Sequence, residues 1–149
     1  MTFENMFCIM KATRKWYFEQ KRHYLIIYKV YRAVWEGVIV AKYIIKRCND
    51  TNRIISNLKL QKLLYFVQAE FLVTTTHACF PEEIEAWDFG PVVPEVYHRY
   101  KAYGSASIPY MSNSKIKEIS EDDKKLIDGI VDECSQYSAA ALVEITHNQ

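Results

Sequence analysis

The feature that most constrains the fold is an apolar stripe in the middle of the chain that repeats with the period of an α-helix. Its members recur at intervals of mostly three or four residues: Leu60, Leu63, Leu64, Val67, Phe71 and Leu72. Ser56 precedes the stripe and carries the hydroxyl oxygen that helix N-caps use, and Thr74-Thr75-Thr76 follows it. The pattern predicts a helix from Ser56 to about Val73 with one buried face, which other elements of the chain must cover.

The remaining apolar patterns predict four further helices. These are expected over about 38–48, 94–104, 120–134 and 138–145. Pro94 can occupy a first helical turn, where its missing N–H costs nothing, and Ser120 with Asp123 three residues later resembles a capping box. A polar loop is expected over 105–120.

A short β element is predicted near residues 83–93. Ile84, Ala86 and Asp88 alternate with Glu85, Trp87 and Phe89 at period two, which favours a short strand between Pro81 and Phe89. Gly90-Pro91 then predicts a turn, because Gly accepts backbone angles that other residues avoid and Pro restricts its predecessor. The expected fold class is therefore mainly α: a compact helical domain with this β element, preceded by an extra N-terminal helical segment.

The chain divides by composition into an extension, residues 1–37, and a domain, residues 38–149. The extension holds nine of the 21 aromatic residues and seven Lys or Arg against three Asp or Glu. Helical spacing predicts a helix from about Tyr24 to Trp35. Three interpretations stay open: an extra helix packed on the domain, a start codon upstream of the true one, or a basic amphipathic helix on a membrane surface.

Charge and cysteine usage exclude several classes of protein for the domain. Residues 38–149 carry 12 Lys or Arg against 15 Asp or Glu, so we expect no nucleic-acid partner for this part. No apolar run approaches the roughly 18 residues that would predict an integral membrane segment. Cys8, Cys48, Cys79 and Cys134 match no zinc or redox spacing, which favours free thiols and a cytoplasmic protein.

Two groups of residues are candidates for chemistry. His77 and Cys79 are close in sequence, but one such pair is a weak metal signal. Four acids, Glu82, Glu83, Glu85 and Asp88, crowd the predicted strand, and paired carboxylates can perform acid–base work. A solvated strand edge explains them as well, and no nucleophile, phosphate loop or cofactor element accompanies them. We therefore predict no catalytic residue, no metal and no cofactor.

The segment WDFGPVVP, residues 87–94, places two large aromatic side chains and two prolines around the predicted turn. One interpretation is a rigid corner that buries Trp87 against the predicted helix of residues 60–71. The other is direct contact with a partner, because aromatic residues are frequent at interface hot spots and a rigid turn loses little entropy on binding. The two interpretations are compatible.

Three motifs resemble the SocA-like Panacea antitoxin family, which also includes prophage-associated proteins. The first two are ISNLKLQKLLYFVQA at 55–69 and IEAWDFGPVVPEVY at 84–97, and a third, weaker match is LVEITH at 142–147. The resemblance covers about 38–149. It differs in two respects: the family normally lacks the aromatic extension, and its members usually continue beyond Thr146-His147, so we expect a domain truncated at its C-terminus.

The resemblance implies an antitoxin that neutralises a cognate toxin protein by direct binding, through occlusion or as an adaptor that delivers the toxin to a AAA+ protease. The candidate partner-binding residues are Lys59, Gln61, Lys62, Trp87, Phe89, Gly90, Pro91, Val92 and Tyr97. Of these, the three on the predicted helix are expected to form a polar rim, and the others to contact the partner or support the contact. Two alternatives remain: a small phage-associated enzyme that uses the Glu82–Asp88 acids, and a membrane-surface protein that uses the basic extension.

Overall fold

The computed structural model describes residues 34–112, 116 and 118–147. Within these residues there are five α-helices and one two-stranded antiparallel sheet. In chain order they are α1 (Gly37–Asp50), α2 (Asn57–Thr75), β1 (Glu85–Trp87), β2 (Gly90–Val92), α3 (Pro94–Tyr100), a 3-10 turn (Lys101–Tyr103), α4 (Glu121–Cys134) and α5 (Ala139–His147). The predicted mainly helical class with a short β element is confirmed.

The extra helix predicted for about residues 24–35 lies outside the described residues, except for its last two positions. Val34 and Trp35 are described, and neither is helical. Trp35 nevertheless belongs to the packed structure, because its backbone N–H donates to Cys79 O at 2.9 Å and its indole Nε1 donates to Asp123 Oδ2 at 3.0 Å.

Helix α2 is the centre of the domain, and α1, α3, α4, α5 and β2 all pack against it. Ser56 accepts a hydrogen bond from Lys59 N at 3.3 Å, so the predicted N-cap is confirmed, and the helix ends at Thr75 because Thr76 turns left-handed with φ 63°. Phe66 and Ala69 lie off the predicted stripe, yet both are buried. A helix that is buried almost all round is typical of the interior of a domain.

The N-terminus of α1 is capped by a residue that is distant in sequence. Both carboxylate oxygens of Glu82 accept from Gly37 N, at 2.8 and 2.9 Å, and burial raises the pKa of this carboxyl above its usual range. A carboxylate at this position also interacts favourably with the helix dipole. Gly37 therefore belongs to the packed domain as well, together with Trp35.

Polar and charged contacts join α1 to α4 along one side. The hydroxyl of Tyr43 donates to Asp128 at 2.9 Å, and Arg47 pairs with Asp132 at 3.0 Å. Arg53 pairs with the same Asp132, and hydrogen bonds from the two guanidinium groups hold the pKa of that carboxyl below its usual range. These pairs lie beside the apolar residues that the two helices bury, such as Ile44 and Ile127.

The turn predicted at Gly90-Pro91 is wrong by two residues. The loop of the hairpin is Asp88-Phe89, and Gly90 and Pro91 begin β2, paired with Trp87 and Ala86. Gly90 has φ 89°, whereas neither loop residue has a positive φ. The left-handed residue therefore follows the turn instead of forming it, as in hairpins that end in a glycine bulge.

Described residues of the segment predicted as a polar loop over 105–120 belong to the core. Ile108 is buried and its backbone N–H donates to Ile55 O at 2.9 Å, while Ile116 and Ile119 are buried further on. Ser120 accepts from Asp123 N at 3.1 Å, which confirms the predicted cap of α4. No helix in the described part of the chain is long and apolar enough to cross a bilayer.

Candidate partner-binding surface

Helix α2 carries four buried polar side chains that fix the segment containing the hairpin. Asn57, Gln61, Lys62 and Gln68 are each at most 5% exposed. Buried polar groups are costly unless they are hydrogen-bonded. Three of the four bond directly to main-chain atoms on both sides of the hairpin, and Lys62 bonds to the carbonyl of β2 itself.

Two amide side chains of α2 hold α3, the helix that follows the hairpin, through hydrogen bonds. Gln61 Oε1 accepts from Val93 N at 2.9 Å, and Gln61 Nε2 donates to Asn57 Oδ1 at 3.1 Å. Asn57 Nδ2 in turn donates to Tyr97 O at 3.1 Å. The residue preceding α3 and a carbonyl within α3 are thereby attached to the first turns of α2.

A third amide fastens the segment that precedes the hairpin. Gln68 Oε1 accepts from Cys79 N at 2.9 Å and from Phe80 N at 3.2 Å, and its Nε2 donates to Phe80 O at 2.9 Å. Both flanks of the hairpin are therefore attached to one helix through main-chain groups.

Lys62, Gly90 and Thr146 bring α2, β2 and α5 together at one point. The ammonium of Lys62, which is 0% exposed, donates to Pro91 O at 3.0 Å, and burial lowers the pKa of this lysine to about 8. A Cβ atom on Gly90 would lie 2.7 Å from Thr146 Oγ1 and 3.0 Å from Lys62 Nζ. A larger residue at this position would have to displace these side-chain atoms and would be strained at a φ of 89°.

The expectation that Lys59, Gln61 and Lys62 form a solvent-facing rim does not agree with this structure. Gln61 and Lys62 are buried, because residues 79–97 cover the side of α2 that would otherwise face water. Lys59 is partly exposed, and its ammonium donates to Tyr137 O at 2.7 Å just beyond α4. All three side chains bond to neighbouring elements, Gln61 and Lys62 in the interior and Lys59 from a partly exposed position.

The other predicted residues separate into exposed and supporting groups. Val92 is buried, while Gly90 and Pro91 are partly buried. Phe89 is 67% exposed at the tip of the hairpin. Trp87 and Tyr97 are both partly exposed, and their rings meet edge to face with centroids 4.9 Å apart.

The interpretation that Trp87 is buried against α2 is wrong. Its ring lies against Tyr97 and is 6.2 Å from the ring of His98, both on α3, and its indole Nε1 donates to Glu85 Oε2 at 2.7 Å. We call the surface made by Trp87, Phe89 and Tyr97, with the exposed acids around them, the hairpin face. The acids of the hairpin face are Glu83, Glu85, Asp88 and Glu95.

The four acids proposed for an enzyme do not converge. Glu82 is engaged at Gly37, and Glu83, Glu85 and Asp88 are exposed to solvent. A cleft of about 260 Å³ lies elsewhere, between α1 and residues 109–112, and its lining includes Lys42, Arg99 and tyrosine rings but no acid, histidine or cysteine. This cleft has no acid–base pair of the kind that general catalysis uses.

The described cysteines and histidines do not form a metal or redox site. His77 is exposed while Cys79 is fully buried, and no three metal-ligating side chains cluster anywhere in the described ranges. Cys48, Cys79 and Cys134 are free and buried. Burial raises the pKa of each thiol, that of Cys134 to about 12, so these cysteines stay protonated and unreactive near neutral pH.

Comparison with known families identifies the class of this domain. Residues 60–149, which include most of α2 and all of the hairpin face, match the family model "Antitoxin SocA-like, Panacea domain". The chain therefore belongs to the SocA-like Panacea domain family of antitoxins. The family resemblance carried by the motifs is thereby confirmed.

One curated relative is Antitoxin SocA of Caulobacter vibrioides (strain NA1000 / CB15N). It is 47% identical to this chain over 64 residues, which make up 43% of this chain and 32% of the relative. The match thus spans about a third of the length of that relative. No solved structure matches this chain.

Sequence reasoning missed Asn57, Gln68 and Thr146 as residues that fix the hairpin. A signal for the first two was present, because Asn57, Gln61 and Gln68 recur at intervals of four and seven residues and share one side of a helix. Amides along an otherwise apolar side can both donate to and accept from a covering backbone. Thr146 gave no comparable signal, since its role depends on where α5 meets β2.

Proposed function

We propose that this protein is an antitoxin that neutralises a cognate toxin protein by direct binding through the hairpin face. The observation that carries the proposal is the match of residues 60–149 to a family of antitoxins. The relative named above is itself an antitoxin, which agrees with this role. The geometry contributes the surface on which we expect the contact.

The hairpin face has the properties of a binding surface that is organised in advance. Phe89 protrudes on a two-residue loop, and the backbone on either side of it is held by Gln61, Lys62 and Gln68. A rigid loop loses little conformational entropy when a partner immobilises it. When a partner buries Phe89 and the Trp87–Tyr97 pair, little of the free energy gained is therefore lost to ordering the loop. Aromatic residues of this kind are frequent hot spots.

We infer that the protein acts by binding and not by catalysis. The dispersed positions of Glu82, Glu83, Glu85 and Asp88 support this inference, since acid–base work needs groups that face one substrate. We also infer a cytoplasmic location, in keeping with the free thiols of Cys48, Cys79 and Cys134.

Occlusion of the toxin and delivery to a AAA+ protease both begin with the same complex. In occlusion the toxin remains intact at a constant concentration, whereas delivery shortens its lifetime in the cell. Measuring the half-life of the toxin with and without this protein separates the two modes, and a protease-deficient host shows whether degradation is needed.

Co-expression with the product of the neighbouring gene tests the proposal. We expect that product to arrest growth alone and to lose its toxicity when this protein is present at equal or higher level. Phe89→Ala should reduce the protection, and Ile54→Ala, at a 74% exposed apolar residue between α1 and α2, should leave it unchanged. If the neighbour is toxic alone and equally toxic beside soluble, folded wild-type protein, the proposed function is wrong.

A further inference from the structure

The hairpin face lies within a long segment that has no basic residue. From residue 63 to residue 98 the sequence contains no Lys or Arg and six acids. Those acids are Glu70, Glu82, Glu83, Glu85, Asp88 and Glu95. The segment therefore carries a strongly negative charge in a protein whose net charge is only +1.

Four of these acids face solvent along the hairpin and beside its base. Glu83, Glu85, Asp88 and Glu95 are exposed, and none of the ion pairs between described residues involves them. The nearest basic residue before the segment, Lys62, is fully buried and donates to Pro91 O. Among the described residues no cation is paired with these four acids, so the negative charge of the hairpin face is exposed.

We propose, on the basis of the proposed function, that the hairpin face docks on a basic protein surface that surrounds an apolar recess. Phe89 enters the recess, and the surrounding carboxylates face Lys and Arg side chains at its rim. A partner without cations is disfavoured, because carboxylates that lose water without gaining a counter-charge cost free energy. A nucleic acid is disfavoured for the same reason, since its phosphates would meet these acids.

The two parts of this surface should have separable effects on binding. Complementary charge at the rim of an interface mainly accelerates association and makes the rate depend on salt. A buried aromatic anchor mainly slows dissociation. Charge variants and anchor variants should therefore change different rate constants.

The experiment measures binding kinetics between the purified full-length protein and the toxin encoded by the neighbouring gene, at low and at high ionic strength. We expect the double variant Glu83→Lys/Asp88→Lys to associate roughly tenfold or more slowly than the wild type and to lose most of the salt dependence. The matched control is Asp50→Lys/Glu118→Lys, which makes the same change in net charge at exposed acids outside the hairpin face and should change the rate less than about twofold.

The anchor is tested in the same assay. Phe89→Ala should weaken binding by about 30-fold, mainly through faster dissociation, and Ile54→Ala should bind like the wild type. Far-ultraviolet circular dichroism of each variant verifies that the helices are intact. Both Phe89 and Ile54 are exposed, so neither change removes core packing.

The outcomes separate this inference from the function on which it rests. Wild-type protein that binds and neutralises the toxin, with a rate insensitive to salt and to Glu83→Lys/Asp88→Lys, would overturn the basic-surface inference and leave the antitoxin proposal standing. Binding of duplex DNA or RNA by the wild type at the same face would also overturn it. If the wild type neither binds nor neutralises the toxin, the proposed function itself fails.

Discussion

At the scale of single residues, Gly90 and Lys62 carry the most unusual demands in the described chain. Gly90 combines a φ of 89° with two neighbouring side chains that a Cβ atom would have to displace. Lys62 places an ammonium in the interior, where it donates to the backbone carbonyl of Pro91. Each residue is therefore expected to have an effect on stability that a glycine or a lysine at the surface lacks.

Replacing Gly90 with Ala should destabilise the protein by about 2 kcal/mol or more, because an unfavourable backbone conformation and two close contacts act together. Thermal or denaturant unfolding measures the loss. Gly104→Ala is the control for the backbone strain alone, since Gly104 has φ 54° with nothing within 4 Å of an added Cβ, and it should destabilise the protein less than Gly90→Ala. Equal losses for the two variants would contradict the close packing at Gly90.

Lys62→Met should change how stability depends on pH. Burial lowers the pKa of Lys62 in the folded protein to about 8 from 10.5, so the unfolded chain binds more protons than the folded protein between these values. The free energy of unfolding contributed by this group then rises with pH across that window, by on the order of 3 kcal/mol, and the contribution is smallest below pH 8. The Met variant lacks this rise.

The measurement is the difference in unfolding free energy between wild type and Lys62→Met from about pH 7 to about pH 11. Taking the difference removes the contributions of tyrosines and thiols, which titrate in both proteins. Lys42→Met, at a partly exposed position on α1, is the control for loss of a positive charge. A difference that stays constant over the window would show that the Lys62 ammonium is well solvated in the folded protein.

At the scale of elements, the helices were predictable and their polar contacts were not. Helical periodicity and the Ser56 and Ser120 caps are local properties, so they predicted α2 and α4 closely. The hairpin loop was misplaced because a glycine with positive φ is compatible with the turn itself and with the residue after it. The burial of Gln61 depends on the backbone of 79–97 crossing α2, which is not a local property.

Gln61→Leu should lower the free energy of unfolding by about 1–3 kcal/mol, because it leaves the buried Val93 N–H without its acceptor. Leu has a similar size, so the loss reflects the hydrogen bond more than packing. Denaturant unfolding gives the value, and Gln136→Leu, at an exposed residue beyond α4, should change it by less than about 0.5 kcal/mol. A Gln61→Leu variant as stable as the wild type would mean that water replaces the amide at Val93.

At the scale of the whole molecule, the three motifs that carried the family resemblance meet in space. Lys62 comes from the first motif, Gly90 from the second and Thr146 from the third, and a Cβ atom on Gly90 would contact both other side chains. Sequence spacing indicated that Trp87, Phe89 and Tyr97 belong to one region, and the exposed tip agrees with that. The spacing did not indicate that Gln61 and Lys62 are buried, because burial is a property of the assembled fold.

The attachments of the hairpin to α2 end on main-chain atoms: the N–H groups of Cys79, Phe80 and Val93 and the carbonyls of Phe80, Pro91 and Tyr97. Every non-proline residue offers the same N–H, and every residue the same carbonyl. The side chains at the tip can therefore be replaced, through natural variation or by design, without removing the hydrogen bonds that attach the hairpin to α2. In such a scaffold the residues that contact a partner are different from the groups that hold the hairpin on α2.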